Sequence, residues 1–194
     1  KINFEVPRIS AEETDYGLVQ YGTRSTGVTR ATHFHMPNMS SWAQRAIHPE
    51  ESAWREVMGW RVPIDDTSHR TIGVFNAHVP AELVPRFLEN RAKEFEELAQ
   101  LPPPNDISDA VLAGAMRWRD VKLRAQGTDM TRIQDRVAML GQGIIADRTD
   151  ECLGSSDVAI VLLRRLWRRE LDALRDGRPL KQWAGSIPLS TSGL

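Results

Sequence analysis

Two histidines, His33 and His35, are separated by one residue in a segment with strand character, 28–36 (VTRATHFHM). Because side chains i and i+2 of a strand project from the same face, both imidazoles would be presented together. Two imidazoles and one carboxylate can hold a transition metal, and such residues also line cavities or solvated faces. A two-residue histidine motif is common by chance, so the residues favour the polar face, and a metal site stays open as an alternative.

A third histidine, His69, follows Asp65 and Asp66 across a predicted turn. Imidazole titrates near neutrality and has two distinct nitrogens, so His69 could donate a hydrogen bond to an acidic or phenolic substrate. Turns are also rich in exposed polar residues. From residue types alone, we favour an exposed turn residue.

Asp135 lies beside a predicted helical stripe that starts after Thr131 and consists of Ile133, Val137, Leu140 and Ile144. A carboxylate next to a core-facing stripe must be paired, hydrated or bound to a cation. An aspartate early in a helix is also stabilised by the helix dipole, and the residues alone favour that role.

Several other kinds of chemistry are excluded or left without support. The single cysteine, Cys152, rules out an internal disulfide and a four-cysteine metal site built by this chain alone, and it predicts a reducing, cytoplasmic setting. The sequence contains no G-x-S-x-G, Walker or G-x-G-x-x-G motif. A net charge of −1 over 194 residues argues against a nucleic-acid surface or a polybasic membrane anchor. No apolar run approaches the roughly 20 residues of a membrane span.

The elements that must position these residues change character along the chain. Runs of β-branched and aromatic residues predict two hairpins, at 16–36 and 59–79, with a loop or lid at 40–57. Helical periodicity then predicts helices at 82–100, from Thr131 onward, and at 155–177, with a poorly structured crossing at 107–126. The apolar stripe of the last helix would be Ile160, Leu163, Trp167, Leu171 and Leu174. This order predicts an α+β fold, with helices packed on one face of an antiparallel sheet.

Spaced motifs in the second half resemble the C-terminal helices of Rieske-type ring-hydroxylating oxygenases of the phthalate- and vanillate-oxygenase class. They are Gln134-Asp135, Gly143-x-Ile145-x-Asp147-Arg148, Glu151-x-Leu153-Gly154, Ser156-Asp157 and Arg164-Arg165. Similar matches in the first half are Thr14-Asp15-Tyr16-Gly17, Met36-Pro37-Asn38 and 62–67 (VPIDDT). The matches run in the same order from about residue 12 to 183.

The resemblance implies the C-terminal part of a catalytic domain with a helix-grip, START-like fold over 1–194, its sheet at about 12–80 and its helices at about 81–177. It implies a mononuclear Fe(II) held by two histidines and a carboxylate, with Asp135 as the carboxylate. Gln134 and Arg136 would then support the ligand from a second layer. His69 would contact the substrate, and His33 and His35 would line the pocket without binding metal. The family also implies a Rieske [2Fe–2S] cluster, a reductase or ferredoxin as electron donor, and a homotrimer.

The chain departs from the family pattern in two respects. It contains no Asp-x-x-His-x-x-x-x-His stretch, from which the two iron histidines come, and its one cysteine cannot build a Rieske centre. Because the chain opens at Lys1, we expect the Rieske domain and both histidine ligands to lie upstream of this sequence.

Three functions therefore stand as hypotheses. The first is an oxidoreductase of aromatic catabolism: the terminal oxygenase that activates O₂ at iron to hydroxylate or O-demethylate an aromatic acid, as a dioxygenase or monooxygenase. The second is a non-catalytic helix-grip domain that binds a hydrophobic or aromatic ligand. The third is a cupin-like metal enzyme built on His33 and His35. We expect no nucleic-acid or membrane partner under any of the three.

Overall fold

The computed structural model describes residues 5–45, 54–100, 102–121 and 128–185. Six strands come first and helices follow. The strands are β1 (Arg8–Glu13), β2 (Gly17–Thr23), β3 (Thr29–His35), β4 (Met39–Arg45), β5 (Trp54–Pro63) and β6 (His69–Ala77). The helices are α1 (Val84–Ala99), α2 (Pro104–Leu112), α3 (Thr128–Leu140) and α4 (Val158–Arg175).

The strands form one antiparallel sheet in sequence order, β1 to β6. Both predicted hairpins are present, β2 with β3 and β5 with β6. In the second hairpin, Oδ1 of Asp65 accepts the backbone N–H of Thr67 at 2.8 Å, which closes the turn. The predicted α+β class is confirmed, and the antiparallel sheet with its helices is compatible with a helix-grip fold.

The loop predicted at 40–57 is wrong at both of its ends. Strand β4 begins at Met39, and β5 begins at Trp54 and pairs with β4 from Arg45↔Trp54 to Met39↔Trp60. The sequence of β4, MSSWAQR, is too polar to predict a strand. It forms one here because its backbone pairs with β3 on one side and with β5 on the other. Residues 46–53, the centre of the predicted loop, lie outside the described residues.

The described chain divides into two compact units, one formed by 1–80 with 152–194 and the other by 81–151. The first unit contains the sheet and α4, which packs against β1 and β2. The second contains α1, α2 and α3, and in it α2 packs against α3. Among the helices in the described ranges, none is long and apolar enough to cross a membrane.

Helix α4 is confirmed as an element, but its predicted buried stripe is wrong. The residues it buries are Ala159, Leu166 and Ala173, seven positions apart and therefore on one face. Four members of the predicted stripe are exposed: Ile160, Trp167, Leu171 and Leu174. Apolar residues cover more than one face of this helix, so periodicity alone does not select the face that packs.

Two expectations for the second unit also need correction. Residues 107–112 of the predicted crossing belong to α2, which starts with proline at its first position, where proline is well tolerated. Helix α3 begins at Thr128 and ends at Leu140, before Gly141 and Gly143, and Gly143 has φ +87°. Ile144 is 81% exposed and is therefore not part of the helical stripe, whereas Ile133 is fully buried.

An ionic cluster joins the end of β1 to α4 and to the segment that follows it. Both carboxylate oxygens of Glu13 accept hydrogen bonds from the Arg169 guanidinium, at 2.9 and 3.1 Å, and Nζ of Lys181 donates to Oε1 at 2.7 Å. The N–H of Ala184 donates to the carbonyl of Asp15 at 2.9 Å. These bonds from Arg169 and Lys181 lower the pKa of Glu13 to about 2.

Because the folded pKa of Glu13 is depressed, its stabilisation is present above the ordinary value of 4.5 and is lost as the pH falls towards about 2. We expect Glu13→Gln to lower the free energy of unfolding at neutral pH by about 1 kcal/mol, since both partners stay partly exposed. We also expect Glu13→Gln to reduce the decrease in the free energy of unfolding at acid pH, measured by urea titrations at several pH values. Glu82→Gln, at an exposed carboxylate, should leave the acid slope unchanged; equal slopes for the parent and Glu13→Gln would contradict the assignment.

Candidate functional site

The bend before β2 and strands β3 and β4 bring four polar side chains together, Tyr16, His33, His35 and Ser41, which we name the tyrosine–histidine cluster. The Tyr16 hydroxyl lies 2.7 Å from Nδ1 of His33, and Nε2 of His35 lies 3.0 Å from the Ser41 hydroxyl. The Tyr16 ring stacks on His35 with centroids 4.6 Å apart, and the two imidazoles lie 6.3 Å apart. The i, i+2 spacing therefore does present both imidazoles together.

Glycine at position 17 allows this arrangement. Gly17 pairs with His35 across the β2–β3 ladder and has φ +152°. A Cβ built there would lie 2.1 Å from the carbonyl oxygen of Phe34, so a larger residue would push β2 away from β3. The Tyr16-Gly17 pair in the sequence is thus the signal that could have placed Tyr16 beside the histidines.

Burial sets the charge of the cluster. It lowers the pKa of His33, and burial together with the neighbouring His33 lowers the pKa of His35. Burial is also the main reason that the pKa of the Tyr16 phenol is raised. At neutral pH the cluster is therefore uncharged: two neutral imidazoles and a protonated phenol.

One polar atom of the cluster lacks a partner. His35 is only 6% exposed, and its Nδ1 is buried. This nitrogen makes no hydrogen bond with any described residue. A buried imidazole nitrogen without a partner loses the hydrogen bond that water would give it. A polar group of a bound molecule could supply that bond.

The other predicted site residues lie elsewhere in the structure. His69 is exposed at the first position of β6, opposite Pro63. Asp135 and Gln134 are exposed on α3. Asp135 is the eighth residue of that helix rather than an early one, so the helix dipole gives it no N-terminal stabilisation.

Arg136 has a carboxylate partner within its own unit. One of its guanidinium nitrogens donates to Oδ1 of Asp109, on α2, at 2.9 Å. Within the described ranges, no three His, Cys, Asp or Glu side chains lie close enough together to hold a metal ion. Cys152, the single cysteine, is exposed.

A cavity of about 260 Å³ lies between α4 and the segment that follows it, and sequence analysis did not anticipate it. Its apolar lining includes part of the outward face of α4, so three residues wrongly assigned to the core, Trp167, Leu171 and Leu174, serve here as cavity wall. The lining residues are Met36, Pro37, Trp167, Glu170, Leu171, Leu174, Leu180, Lys181 and Trp183.

The lowered pKa of His35 makes stability depend on pH. The folded state binds fewer protons than the unfolded state near the ordinary value of 6.5, so stability is full above that value and falls as the pH drops through it. We expect His35→Gln to reduce the loss of stability between about pH 7 and about pH 5, measured by urea unfolding. His69→Gln, at an exposed histidine, is the control and should retain the parent slope; an unchanged slope in His35→Gln would refute the effect.

Two known proteins are similar to this chain in amino-acid sequence. No protein-family profile matches it. The chain is 32% identical over 125 residues to the oxygenase subunit of 5,5'-dehydrodivanillate O-demethylase from Sphingobium sp., a match that covers 63% of this chain and 24% of that subunit. It is 23% identical over 180 residues to the alpha subunit of phenoxybenzoate dioxygenase from Ectopseudomonas oleovorans, covering 90% of this chain and 37% of that subunit.

The chain thus spans less than two fifths of the length of either of these curated relatives. Both are oxygenase subunits, and the second match extends over both compact units of the structure. The resemblance to Rieske-type oxygenase alpha subunits that the sequence motifs indicated is confirmed: this chain is related to a part of such subunits.

Proposed function

We propose that this chain is part of the terminal oxygenase component of a Rieske non-haem iron system, acting on an aromatic carboxylic acid by hydroxylation or O-demethylation. The observation that carries the proposal is the similarity to an O-demethylase oxygenase subunit over 125 residues. The match to a dioxygenase alpha subunit extends the similarity over 180 residues. A reductase or ferredoxin as electron donor, a cytoplasmic location and a homotrimeric assembly are part of this proposal.

Asp135 fits one position of the iron site. A carboxylate is one of the three ligands of the two-histidine, one-carboxylate site, and Asp135 is exposed on a regular helix. The described residues supply no complete ligand group, so the proposal takes both histidine ligands from outside this chain. Iron held in this way supplies O₂ activation with electrons delivered through the Rieske cluster.

The chain's own residues would orient the ligand helix and the substrate. The ion pair of Arg136 with Asp109 joins α3, the helix that carries Asp135, to α2. Gln134 precedes Asp135 in the same turn and remains a proposed hydrogen-bonding neighbour of the site. His33 and His35 remain proposed substrate contacts, and Nδ1 of His35 is the atom without a partner among the described residues. His69, three strands away on β6, is a separate proposed contact.

The first measurement is the intact mass of the purified natural protein with a visible absorption spectrum of the same sample. We expect a mass well above 21.9 kDa and the brown absorption of an iron–sulfur cluster. A colourless protein of 21.9 kDa would contradict the proposal that this chain works within a complete oxygenase.

Iron content tests the assignment of Asp135. In the purified oxygenase, Asp135→Ala should remove the mononuclear iron while leaving the cluster absorption unchanged, because one of three ligands is lost. Asp66→Ala, at an exposed turn residue, should retain both. Iron lost on His33→Ala or His35→Ala but retained in Asp135→Ala would instead support the cupin-like alternative.

The apolar cavity favours a second candidate function, a helix-grip domain that binds a hydrophobic or aromatic ligand without iron. Its wall includes two tryptophans and three leucines, a lining suited to an apolar ring. In this case the isolated chain should bind anilinonaphthalene sulfonate at the cavity, with fluorescence enhancement. Leu171→Arg, in the wall, should weaken binding about tenfold, equivalent to about 1.4 kcal/mol.

Ile160→Arg is the matched control for that measurement, because Ile160 is exposed on α4 and does not line the cavity. Equal binding by the parent, Leu171→Arg and Ile160→Arg would show that the dye does not occupy the cavity. That result, together with iron in the natural protein, would eliminate the second candidate.

A further inference from the structure

We propose that the apolar cavity takes an uncharged aromatic molecule of two or three rings, and that the segment after α4 is the gate of this site. We name the segment, residues 176–185, the strap. The observation that carries the proposal is that Glu13, which does not line the cavity, holds the wall that the strap forms. The inference deepens the second candidate function and rests on the cavity being its ligand site.

The volume of the cavity sets the size of the ligand. An apolar cavity of about 150 Å³ holds a single benzene ring. The cavity here, at about 260 Å³, therefore has room for two or three rings. Trp167 on α4 and Trp183 on the strap both line it, and indole rings pack well against other aromatic rings.

The charged residues of the wall are already paired with other protein groups, which favours a ligand without charge. Glu170 accepts hydrogen bonds from the backbone N–H of Lys181 at 3.0 Å and from Nε of Arg169 at 3.2 Å. Nζ of Lys181 donates to Glu13 at 2.7 Å and to the carbonyl of Thr14 at 3.3 Å. A charged group inside the cavity would lose its hydration without gaining a partner from these two residues.

The strap itself is weakly packed. Every strap residue except Trp183 is exposed, and Trp183 is half-buried. Near the start of the strap, Gly177 has φ +66°, and a Cβ built there would meet no atom within 4 Å. A segment that buries so little of its surface opens locally at low cost in free energy.

Glu13 is the anchor that joins the strap to the sheet. Its carboxylate accepts hydrogen bonds from Lys181, in the strap, and from Arg169, on α4. Both cations also lie against the Trp183 ring, with Nζ of Lys181 4.1 Å and the guanidinium carbon of Arg169 5.5 Å from its centroid. Removing this one carboxylate would therefore loosen the strap and Trp183 together, with no change to a residue of the cavity wall.

The ligand class is tested with two dyes that differ by one group. N-phenyl-1-naphthylamine is uncharged, and anilinonaphthalene sulfonate adds a sulfonate to the same rings. In fluorescence titrations of the purified protein, we expect the uncharged dye to bind at least about tenfold more tightly, because the sulfonate would lose hydration inside the cavity. The signal that Leu171→Arg removes is the signal from the cavity.

Equal or tighter binding of the sulfonate in the cavity would overturn the proposed ligand class. If neither dye gave a signal that Leu171→Arg removes, the inference and the second candidate function would both be wrong. The oxygenase assignment is independent of either result.

The gate is tested by stopped-flow mixing with the uncharged dye. If the dye passes only when the strap opens, a looser strap raises the association and dissociation rates by the same factor and leaves Kd unchanged. We expect Glu13→Gln to raise both rates about fivefold, the effect of losing one partly exposed ion pair. Glu12→Gln is the matched control, because this neighbouring carboxylate accepts from the Tyr21 hydroxyl instead, and both rates should equal those of the parent.

Unchanged rates in folded Glu13→Gln, or a change in the dissociation rate alone, would overturn the gate. Binding of the dye in the cavity would still support the second candidate function in that case. The failure of the gate and the failure of the site are therefore distinguishable.

A second measurement needs no variant and decides the question if Glu13→Gln does not fold. The bonds of Glu13 with Arg169 and Lys181 are partly exposed, so salt screens them, whereas the encounter of an uncharged dye with the protein does not depend on salt. Both rates in the parent should rise between about 0.05 M and about 1 M sodium chloride. Rates that do not change with salt would overturn the gate.

Discussion

Packing of α4 against β1 and β2 is the contact on which the first unit depends. It joins residues about 150 positions apart in the chain, and it buries Leu166 between two alanines, Ala159 and Ala173, that allow the helix to approach closely. Once α4 is fixed there, Arg169 reaches Glu13 and the segment after the helix is held at the end of β1. The outward face of α4 and that segment then enclose the apolar cavity.

Register in the β2–β3 hairpin is the corresponding constraint on the tyrosine–histidine cluster. Gly17 pairs with His35 and Val19 with His33, so both imidazoles lie on one face and Tyr16 reaches them from the start of β2. A slip of one residue would carry both histidines to the opposite face of the sheet. The close approach of Gly17 to the Phe34 carbonyl oxygen leaves no space for a side chain and so favours this register.

Sequence patterns predicted the strands and helices that depend on local periodicity. They did not predict which side chains are buried, because tertiary packing determines that. Alternation and turn residues identified both hairpins, and capping with periodicity identified α4. The buried face of α4 could not be read, because Ile160 and Trp167 are as apolar as the residues that pack. The start of α3 was placed too late, and this made Asp135 resemble an N-terminal aspartate. Tyr16 and Ser41 were missed because their roles exist only once β2, β3 and β4 are paired.

The charge of the cluster separates its chemistry from that of a metal site. The cluster contributes two neutral imidazoles, a phenol and a hydroxyl, so it lacks the carboxylate of a two-histidine, one-carboxylate site. No described carboxylate joins them in a ligand group. Neutral, buried and hydrogen-bonded groups are instead suited to holding a proton between two heteroatoms or to meeting the polar group of an aromatic ligand. Under the proposed function, this chain would supply its carboxylate ligand from α3, at Asp135.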